Sequence, residues 1–222
     1  MRLTLFDLDG TLLPIDSDHA FGEFMVHLGW ADGPRFRQRN QQFFELYQAG
    51  QLDIHAYIEF ATQPWRERPA HELARASQRF MAEVVRPALR DSAFALVREH
   101  AQAGDELVVV TATNDFITAP IAAALGVPSL IATELARNDR GQATGAIHGV
   151  PAFRHGKVQR VQQWLAARGQ ASDDFERITF YSDSTNDLAL LEWATHAVAT
   201  NPGPELARLA HERGWPIVKL FE

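Results

Sequence analysis

Asp7 and Asp9 stand two residues apart near the start of the chain, after the largely apolar run from Leu3 to Phe6 and before Gly10. Such a run predicts a buried strand of a parallel sheet. Open α/β sheets bind their ligands at the carboxyl ends of such strands. Neighbouring carboxylates repel each other unless a cation, a proton or hydrogen-bond donors compensate them. The pattern therefore indicates a site for a hard cation or, alternatively, an ordinary Asp-Gly turn at a solvated strand end.

Two further predicted strands, 106–110 and 177–181, also end in polar groups, and Lys157 lies at the start of a predicted helix. Parallel strands end at one edge of the sheet, so these groups are expected to converge. Taken singly, each is also typical of a strand-end threonine, a solvated lysine or an acidic residue at a helix start. Together, carboxylates for Mg²⁺ and donors for phosphate oxygens are what a phosphoryl group requires. The polar groups are Asp7, Asp9, Thr111, Thr113, Lys157, Asp183, Asn186 and Asp187.

The elements that must position these groups fall into two kinds. From residue 91 onward, predicted strands alternate with helices, which indicates an α/β fold with a doubly wound, largely parallel sheet. Residues 14–88 carry apolar residues at helical spacing and no convincing strand, which predicts an all-helical insertion after the first strand. The expected domains are thus a core of residues 1–13 and 89–222 and a helical domain of residues 14–88.

Composition narrows the class of protein. The 222 residues suffice for one large domain or a core with a smaller insertion. A net charge of −7 argues against a general nucleic-acid binder, and the lack of cysteine excludes disulfides and cysteine nucleophiles. Charged residues near the start leave no room for a signal peptide, and no apolar run is long enough for a membrane span. We therefore expect a cytoplasmic protein that binds neither nucleic acid nor membrane.

Four motifs together resemble those of the haloacid dehalogenase-like phosphatases. They are the segment Asp7-Leu-Asp-Gly-Thr11, Thr111 after a hydrophobic strand, Lys157, and the acidic segment from Asp183 to Asp187. Their order and spacing match over nearly the whole chain. The helical insertion resembles the cap of the phosphoserine phosphatase-like branch. The resemblance implies a Rossmann-like core with an inserted all-helical cap domain.

The resemblance also implies catalytic roles. Asp7 would be the nucleophile that takes the phosphoryl group as an aspartyl-phosphate. Asp9 would protonate the leaving oxygen and then activate water. Mg²⁺ would be bound by Asp7, by the backbone carbonyl of Asp9 and by Asp183. The cation and Lys157 would together offset the negative charge that otherwise opposes attack on a phosphate. An acid at position 9 favours phosphate transfer over dehalogenation, which has no leaving oxygen to protonate.

Further residues are implied to hold the phosphate. Thr111, Ala112, Lys157 and Asn186 would bind its oxygens, while Asp187 would orient Lys157 or a metal-bound water. Thr111 and the neighbouring backbone supply donors where phosphoserine phosphatases usually have serine followed by glycines. The chemistry is therefore expected to survive this difference.

Substrate recognition departs more from the phosphoserine phosphatases. Asp16 falls where they carry a glutamate that faces the substrate amine. Where they carry an arginine for the substrate carboxylate, this chain has Glu59 followed by Phe60 and Ala61. A buried carboxylate would thus lack its bidentate partner. We expect another small phosphomonoester, with an amine that Asp16, Asp18 or Glu59 meets, such as histidinol phosphate or a phosphoethanolamine-like compound.

Several functions stay open at this point. Phosphoserine phosphatase is the first alternative, and a signalling module phosphorylated on aspartate is the second. A phosphotransferase depends on how well the closed cap excludes water. An inactive relative is disfavoured because every expected acidic, hydroxyl and amine group is present. The oligomeric state cannot be predicted from the sequence.

Overall fold

The computed structural model describes residues 1–221, and six parallel strands form its main sheet. These are β1 (Arg2–Phe6), β2 (Glu106–Asn114), β3 (Ser129–Thr133), β6 (Arg177–Ser182), β7 (His196–Thr200) and β8 (Ile217–Val218). Their order across the sheet is β3-β2-β1-β6-β7-β8. An antiparallel hairpin of β4 (Leu135–Arg137) and β5 (Ala143–Ile147) stands apart from this sheet.

The helices fall into two groups along the chain. Between β1 and β2 lie α1 (Ser17–His27), α2 (Gly33–Gln48), α3 (Ile54–Thr62), α4 (Ala70–Phe80), α5 (Arg86–Ala88) and α6 (Asp91–Gln102). After β2 come α7 (Asp115–Leu125), α8 (His155–Ala166), α9 (Leu188–Trp193) and α10 (Pro204–Arg213). A π-helical turn, Met81–Val85, joins α4 to α5, and 3₁₀ turns cover Ser172–Asp174 and Thr185–Asp187. Within residues 1–221, no helix combines the length and apolarity needed to cross a membrane.

The central position of β1 places the first motif in the middle of the sheet. Leu5 pairs with Val108 of β2 on one side and with Phe180 of β6 on the other. Successive side chains of a strand point to opposite faces, so Leu5 packs in one hydrophobic layer and Phe6 in the other. Both faces of the strand are therefore buried, as its apolar pattern predicts. The carboxyl ends of β1, β2 and β6 meet at one edge of the sheet.

The predicted fold class is confirmed: an α/β fold with a doubly wound, Rossmann-like parallel sheet and helices inserted after the first strand. Strand β2 runs to Asn114 rather than ending at Val110, because its pairing with β3 shifts register between these two residues. The polar residues 111–113 thus lie on an irregular strand end. Within the helical insertion, α4 ends at Phe80 and the chain continues as the π-helical turn. The division into domains at residues 14–88 remains a prediction.

Candidate active site

A buried lysine lies between two buried aspartates at the edge of the sheet. The Nζ of Lys157 is 2.8 Å from Oδ1 of Asp7 and 2.7 Å from Oδ2 of Asp187. All three side chains are almost fully buried. Burial lowers the pKa of Lys157, but the carboxylates of Asp187 and Asp7 outweigh it, so the net shift is upward and the ammonium stays charged. One cation therefore compensates two carboxylates, the arrangement that makes a buried ion pair tolerable.

The Asp9 carboxylate bridges the start of the helical insertion and the end of β2. Its Oδ1 accepts a hydrogen bond from the backbone N–H of Ser17 at 2.9 Å. Its Oδ2 accepts one from the Thr113 hydroxyl at 2.9 Å. Burial, and next the charge of Asp16, raise the pKa of Asp9 to about 7. A carboxyl group with a pKa near neutrality suits both the donation and the removal of a proton.

Asp183 follows β6 and lies against the turn that follows Asp7. The Thr11 hydroxyl donates to Oδ1 of Asp183 at 3.2 Å. Gly10 has a φ of +74°, and a Cβ at this position would stand 2.3 Å from Oδ2 of Asp183. Glycine is therefore required for both the backbone conformation and the close approach. Burial, and then the charges of Asp7 and Asp187, raise the pKa of Asp183 well above its usual range.

The donors at this edge fit a hard divalent cation. Asp7 and Asp183 supply carboxylate oxygens that repel each other, and Lys157 compensates the first of them through Oδ1. Oxygen ligands of this kind are those that Mg²⁺ takes in proteins. Among residues 1–221, no three histidine, aspartate or glutamate side chains are grouped to hold a metal ion. The expected ligand set differs from such a group because its third protein ligand is the backbone carbonyl of Asp9.

The residues expected to hold phosphate divide into two sets. Thr111 and Ala112 line the same cavity as Asp7. The Thr111 hydroxyl accepts a hydrogen bond from the backbone N–H of Thr113 at 3.2 Å. Asn186 does not line this cavity; its Nδ2 donates instead to the backbone carbonyl of Tyr47 in α2 at 3.0 Å. Asn186 thus ties the core to the helical insertion.

Helices α1, α2 and α3 form the other half of the cavity next to Asp7. The lining residues between 1 and 221 include no lysine or arginine. Asp16 caps the start of α1, because its Oδ1 accepts a hydrogen bond from the backbone N–H of His19 at 2.7 Å. The lining of this half is Asp16, Asp18, His19, Asn40, Phe43, Phe44, Tyr47, Leu52, Ile54 and Tyr57.

Glu59 corrects one of the sequence expectations. Its carboxylate pairs with Arg66 at 2.7 Å, and 58% of the side chain is exposed. It does not line the cavity, whereas Tyr57 on the same helix does. At 3.6 residues per turn, residues two positions apart in the sequence lie about 200° apart around a helix. With Tyr57 facing the cavity, Glu59 faces away from it and is not at the position expected of a substrate contact.

Three residues with a place in the site were not among the expected site residues, and Thr113, expected at this edge, had no assigned role. The Ser182 hydroxyl donates to Oδ2 of Asp187 at 2.8 Å, and Thr113 donates to Asp9. Ser182 stands next to Asp183, and Thr113 shares a strand face with Thr111, so the alternation of side chains along a strand could have indicated its role. Asn40 and Tyr57 lie on the helical insertion, and no motif marks them.

Comparison with protein families and known proteins gives the context of this geometry. The family model for haloacid dehalogenase-like hydrolases matches residues 4–192. A histidinol-phosphatase of Neisseria meningitidis serogroup C (strain 8013) is 39% identical over 217 residues, which cover 98% of each chain. A phosphoserine phosphatase of Mycobacterium tuberculosis (strain ATCC 25618 / H37Rv) is 30% identical over 215 residues, or 96% of this chain and 68% of that protein.

Solved structures agree with the fold. A protein of unknown function from Bordetella pertussis Tohama I has a TM-score of 0.94 and 48% identity, covering 99% of each chain. A substrate-bound phosphoserine phosphatase complex has a TM-score of 0.69 at 18% identity, covering 97% of this chain and 91% of that one. The second similarity concerns the fold alone. With the family match over most of its length and phosphatases among its relatives, the chain belongs to the haloacid dehalogenase-like hydrolase family and is a phosphatase.

Proposed function

We propose that the protein is a Mg²⁺-dependent, cytoplasmic phosphomonoesterase for a small cationic substrate, with histidinol phosphate as the best candidate. The observation that carries this proposal is the charge of the cavity: Asp16 and Asp18 line its helical half, with no lysine or arginine among the lining residues in 1–221. Histidinol phosphate carries an amine and an imidazole but no carboxylate. The histidinol-phosphatase from Neisseria meningitidis, 39% identical, supports the same choice.

The proposed reaction has two steps, both at Asp7. In the first, an oxygen of Asp7 forms a bond to phosphorus while the ester bond breaks, and Asp9 gives its proton to the leaving alcohol. In the second, Asp9 takes a proton from water, which attacks phosphorus and frees Asp7 with release of inorganic phosphate. The hydrogen bonds from Ser17 and Thr113 hold the carboxylate of Asp9 in one orientation for both transfers.

The remaining proposed roles concern charge. Asp7, Asp183 and the backbone carbonyl of Asp9 would hold Mg²⁺, which when bound neutralises charge on the transferring phosphoryl group. Lys157 offsets negative charge beside Asp7, and Asp187 with Ser182 keeps the ammonium in place. Thr111 and Ala112 line the cavity beside Asp7, which supports their proposed contact with phosphate oxygens. Asn186 joins them if its amide also reaches the phosphate while it holds the carbonyl of Tyr47.

Residues 14–88 are proposed to act as the cap domain that selects the substrate. Helices α1, α2 and α3 of this segment supply the acidic and aromatic part of the cavity. Phosphoserine would bring a carboxylate to Asp16 and Asp18 without a guanidinium to receive it. Like charges brought together in this way are repelled, which disfavours that substrate.

A kinetic comparison of histidinol phosphate, phosphoserine and phosphoethanolamine with Mg²⁺ tests the proposal. We expect kcat/KM for histidinol phosphate to exceed that for phosphoserine by about 100-fold, equivalent to about 2.7 kcal/mol. Chelation with EDTA and the Asp7→Asn substitution should each remove turnover. Preference for phosphoserine, or full activity in EDTA, would contradict the proposal.

Detection of the phosphoenzyme tests the proposed intermediate. Acid quenching during turnover should trap phosphate on the wild-type protein and not on Asp7→Asn, and hydroxylamine should release it as expected of an acyl phosphate. A phosphoenzyme that persists for minutes without hydrolysis would instead support a signalling module. Transfer of phosphate to an added alcohol in preference to water would support a phosphotransferase.

A further inference from the structure

Three helices bring hydrogen-bonding side chains together at the helical end of the cavity. Asp18 comes from the first turn of α1, Asn40 from the middle of α2 and Tyr57 from the first turn of α3. We call these three residues the acceptor cluster. All three are at least nine-tenths buried, yet all three line the cavity. Groups that are buried but face a cavity interact with a ligand rather than with bulk water.

The amide of Asn40 is fixed in one orientation. Its Nδ2 donates to the backbone carbonyl of His19 at 3.1 Å. Because a carbonyl only accepts, the NH₂ group must occupy this position and Oδ1 is the end left for a ligand. Gly22 provides the room, since a Cβ there would stand 2.6 Å from Nδ2 of Asn40. The packing of α1 against α2 therefore presents an acceptor to the cavity.

Asp18 is a second acceptor at the same place. The residue is 8% exposed, and Tyr57 lines the same cavity. Within residues 1–221, Asp18 forms no ion pair, and the cavity lining has no lysine or arginine. A buried carboxylate is costly without donors. A ligand that brings an N–H group would supply what the protein leaves out.

Aromatic rings flank the acceptor cluster. Phe43 meets Tyr57 edge-to-face, with ring centroids 5.3 Å apart. His19 lies against Phe44 at 5.0 Å on the same cavity wall. Walls of this kind favour a flat ring over a flexible chain because ring faces and edges attract one another. The cavity thus combines aromatic walls with two acceptors.

We propose that the acceptor cluster binds the N–H groups of a nitrogen heteroaromatic ring at the end of the substrate away from its phosphate. Asp18 and Asn40 accept from the ring, and Tyr57 is a positioning residue that holds the Asp18 carboxylate. Asp16, which lines the same cavity next to this cluster, is left for the aliphatic amine. This assignment rests on the proposed function and adds which residues read which part of the substrate.

Two matched substrates test the assignment: histidinol phosphate and the analogue with phenyl in place of imidazole, phenylalaninol phosphate. They share the amine, the alcohol phosphate and a flat ring, and they differ in the ring N–H. We expect wild-type protein to prefer the imidazole compound by about 100-fold in kcat/KM, since a site built for a hydrogen bond rejects the analogue that lacks it.

Single substitutions distinguish recognition of the ring N–H from recognition of the aliphatic amine. Asp18→Asn should reduce the imidazole-to-phenyl ratio to about 10-fold or less, and Tyr57→Phe should reduce it by a smaller factor. Asp16→Asn is the matched control: it should lower kcat/KM for both compounds together and leave the ratio within about twofold of wild type. Because the ratio is taken within each variant, a change in overall activity cancels.

The possible outcomes are distinct. If wild-type protein hydrolyses 4-nitrophenyl phosphate but neither amine substrate, the proposed substrate fails. If it hydrolyses both amine substrates equally well, the proposed cationic substrate class stands and the acceptor cluster is overturned. An unchanged ratio in Asp18→Asn also overturns it, and Tyr57→Phe decides the question if Asp18→Asn does not fold.

Discussion

The two ends of the cavity differ in how their carboxylates are compensated. At the core end, Asp7 and Asp187 share the ammonium of Lys157 at hydrogen-bonding distance. At the helical end, Asp16 and Asp18 line the cavity with no lysine or arginine among the lining residues in 1–221. The core end is therefore preorganised before substrate arrives, as catalysis requires. The cavity lining at the helical end supplies no such cation, and under the proposed function the substrate brings it.

Among the variants, replacement of Lys157, whose ammonium Asp7 and Asp187 share, should have the largest effect on stability and activity. Lys157→Met leaves two buried carboxylates without a cation, and breaking a buried ion pair in this way costs about 3–5 kcal/mol. We expect a loss of this size in the free energy of unfolding by urea denaturation, together with loss of phosphatase activity.

The chain offers a matched control for that substitution. Lysine occurs at only two positions, 157 and 219, and Lys219 is exposed. Lys219→Met should change stability by no more than about 0.5 kcal/mol. If the two variants were equally stable, compensation at the core end would not be needed for folding.

Substitution of Asp9 tests whether the core end supplies a proton. Asp9→Asn should lower kcat/KM for alkyl phosphates by about 10²–10⁴-fold, the usual size of general acid–base catalysis. For 4-nitrophenyl phosphate the loss in the first step should be much smaller, because its leaving group needs no proton. Pre-steady-state measurement of alcohol or nitrophenol release separates this step from hydrolysis. Equal losses with both leaving groups would contradict the role in protonation.

The helical end should show the opposite effect on stability. Burial, then the charges of Asp16 and Asp9, raise the pKa of Asp18 well above its usual range. The unfolded chain ionises more readily, so the folded state loses stability as the pH rises towards the raised pKa. Asp18→Asn should therefore stabilise the protein at pH 8, by about 0.5–2 kcal/mol as is typical where a functional site is relieved.

The pH dependence provides the check on that gain. Urea denaturation at pH 5 and pH 8 should show a smaller gain at pH 5, closer to the pKa of an unfolded aspartate. Asp139→Asn, at an exposed position of the hairpin turn, should show no such difference. A gain for Asp18→Asn that is equal at both pH values would show that ionisation is not its source.

Glu59 should give the smallest effect, because it belongs to neither end. Its ion pair with Arg66 lies at the surface, where the Glu59 side chain is 58% exposed, and such surface pairs contribute up to about 1 kcal/mol. Glu59→Gln should leave kcat/KM for every substrate within about twofold of wild type. A selective loss of activity with amine substrates would return Glu59 to the list of substrate contacts.

The core end was predictable from the sequence and the helical end was not, for a physical reason. Asp7 and Asp183 follow apolar strands and Thr111 lies at the irregular end of another, and parallel strands fix where such residues meet. Asn40 and Tyr57 come together only through the packing of helices, whose crossing angles and rotations a periodic pattern leaves undefined. Glu59 shows the result: its sequence position suggested a substrate contact, yet the rotation of α3 turns it away from the cavity.

At the core end, the residue type at position 157 is a second sequence signal in addition to strand position. In a chain with 21 basic residues, Lys157 is one of only two lysines, so its choice over arginine is itself informative. A compact ammonium fits between two carboxylates where the planar guanidinium would not. The register shift in β2 could not be predicted, since it depends on pairing with β3 beyond Val110.

Gly22 supports the position of Asn40 from behind the cavity wall. It lies on α1 and is not among the lining residues, yet it decides whether the Asn40 amide can seat against the carbonyl of His19. A methyl group there would push that amide out of place while leaving every catalytic group in the core untouched. Under the proposed role of Asn40, the molecules that the cavity accepts can thus be changed through a residue that no bound molecule meets.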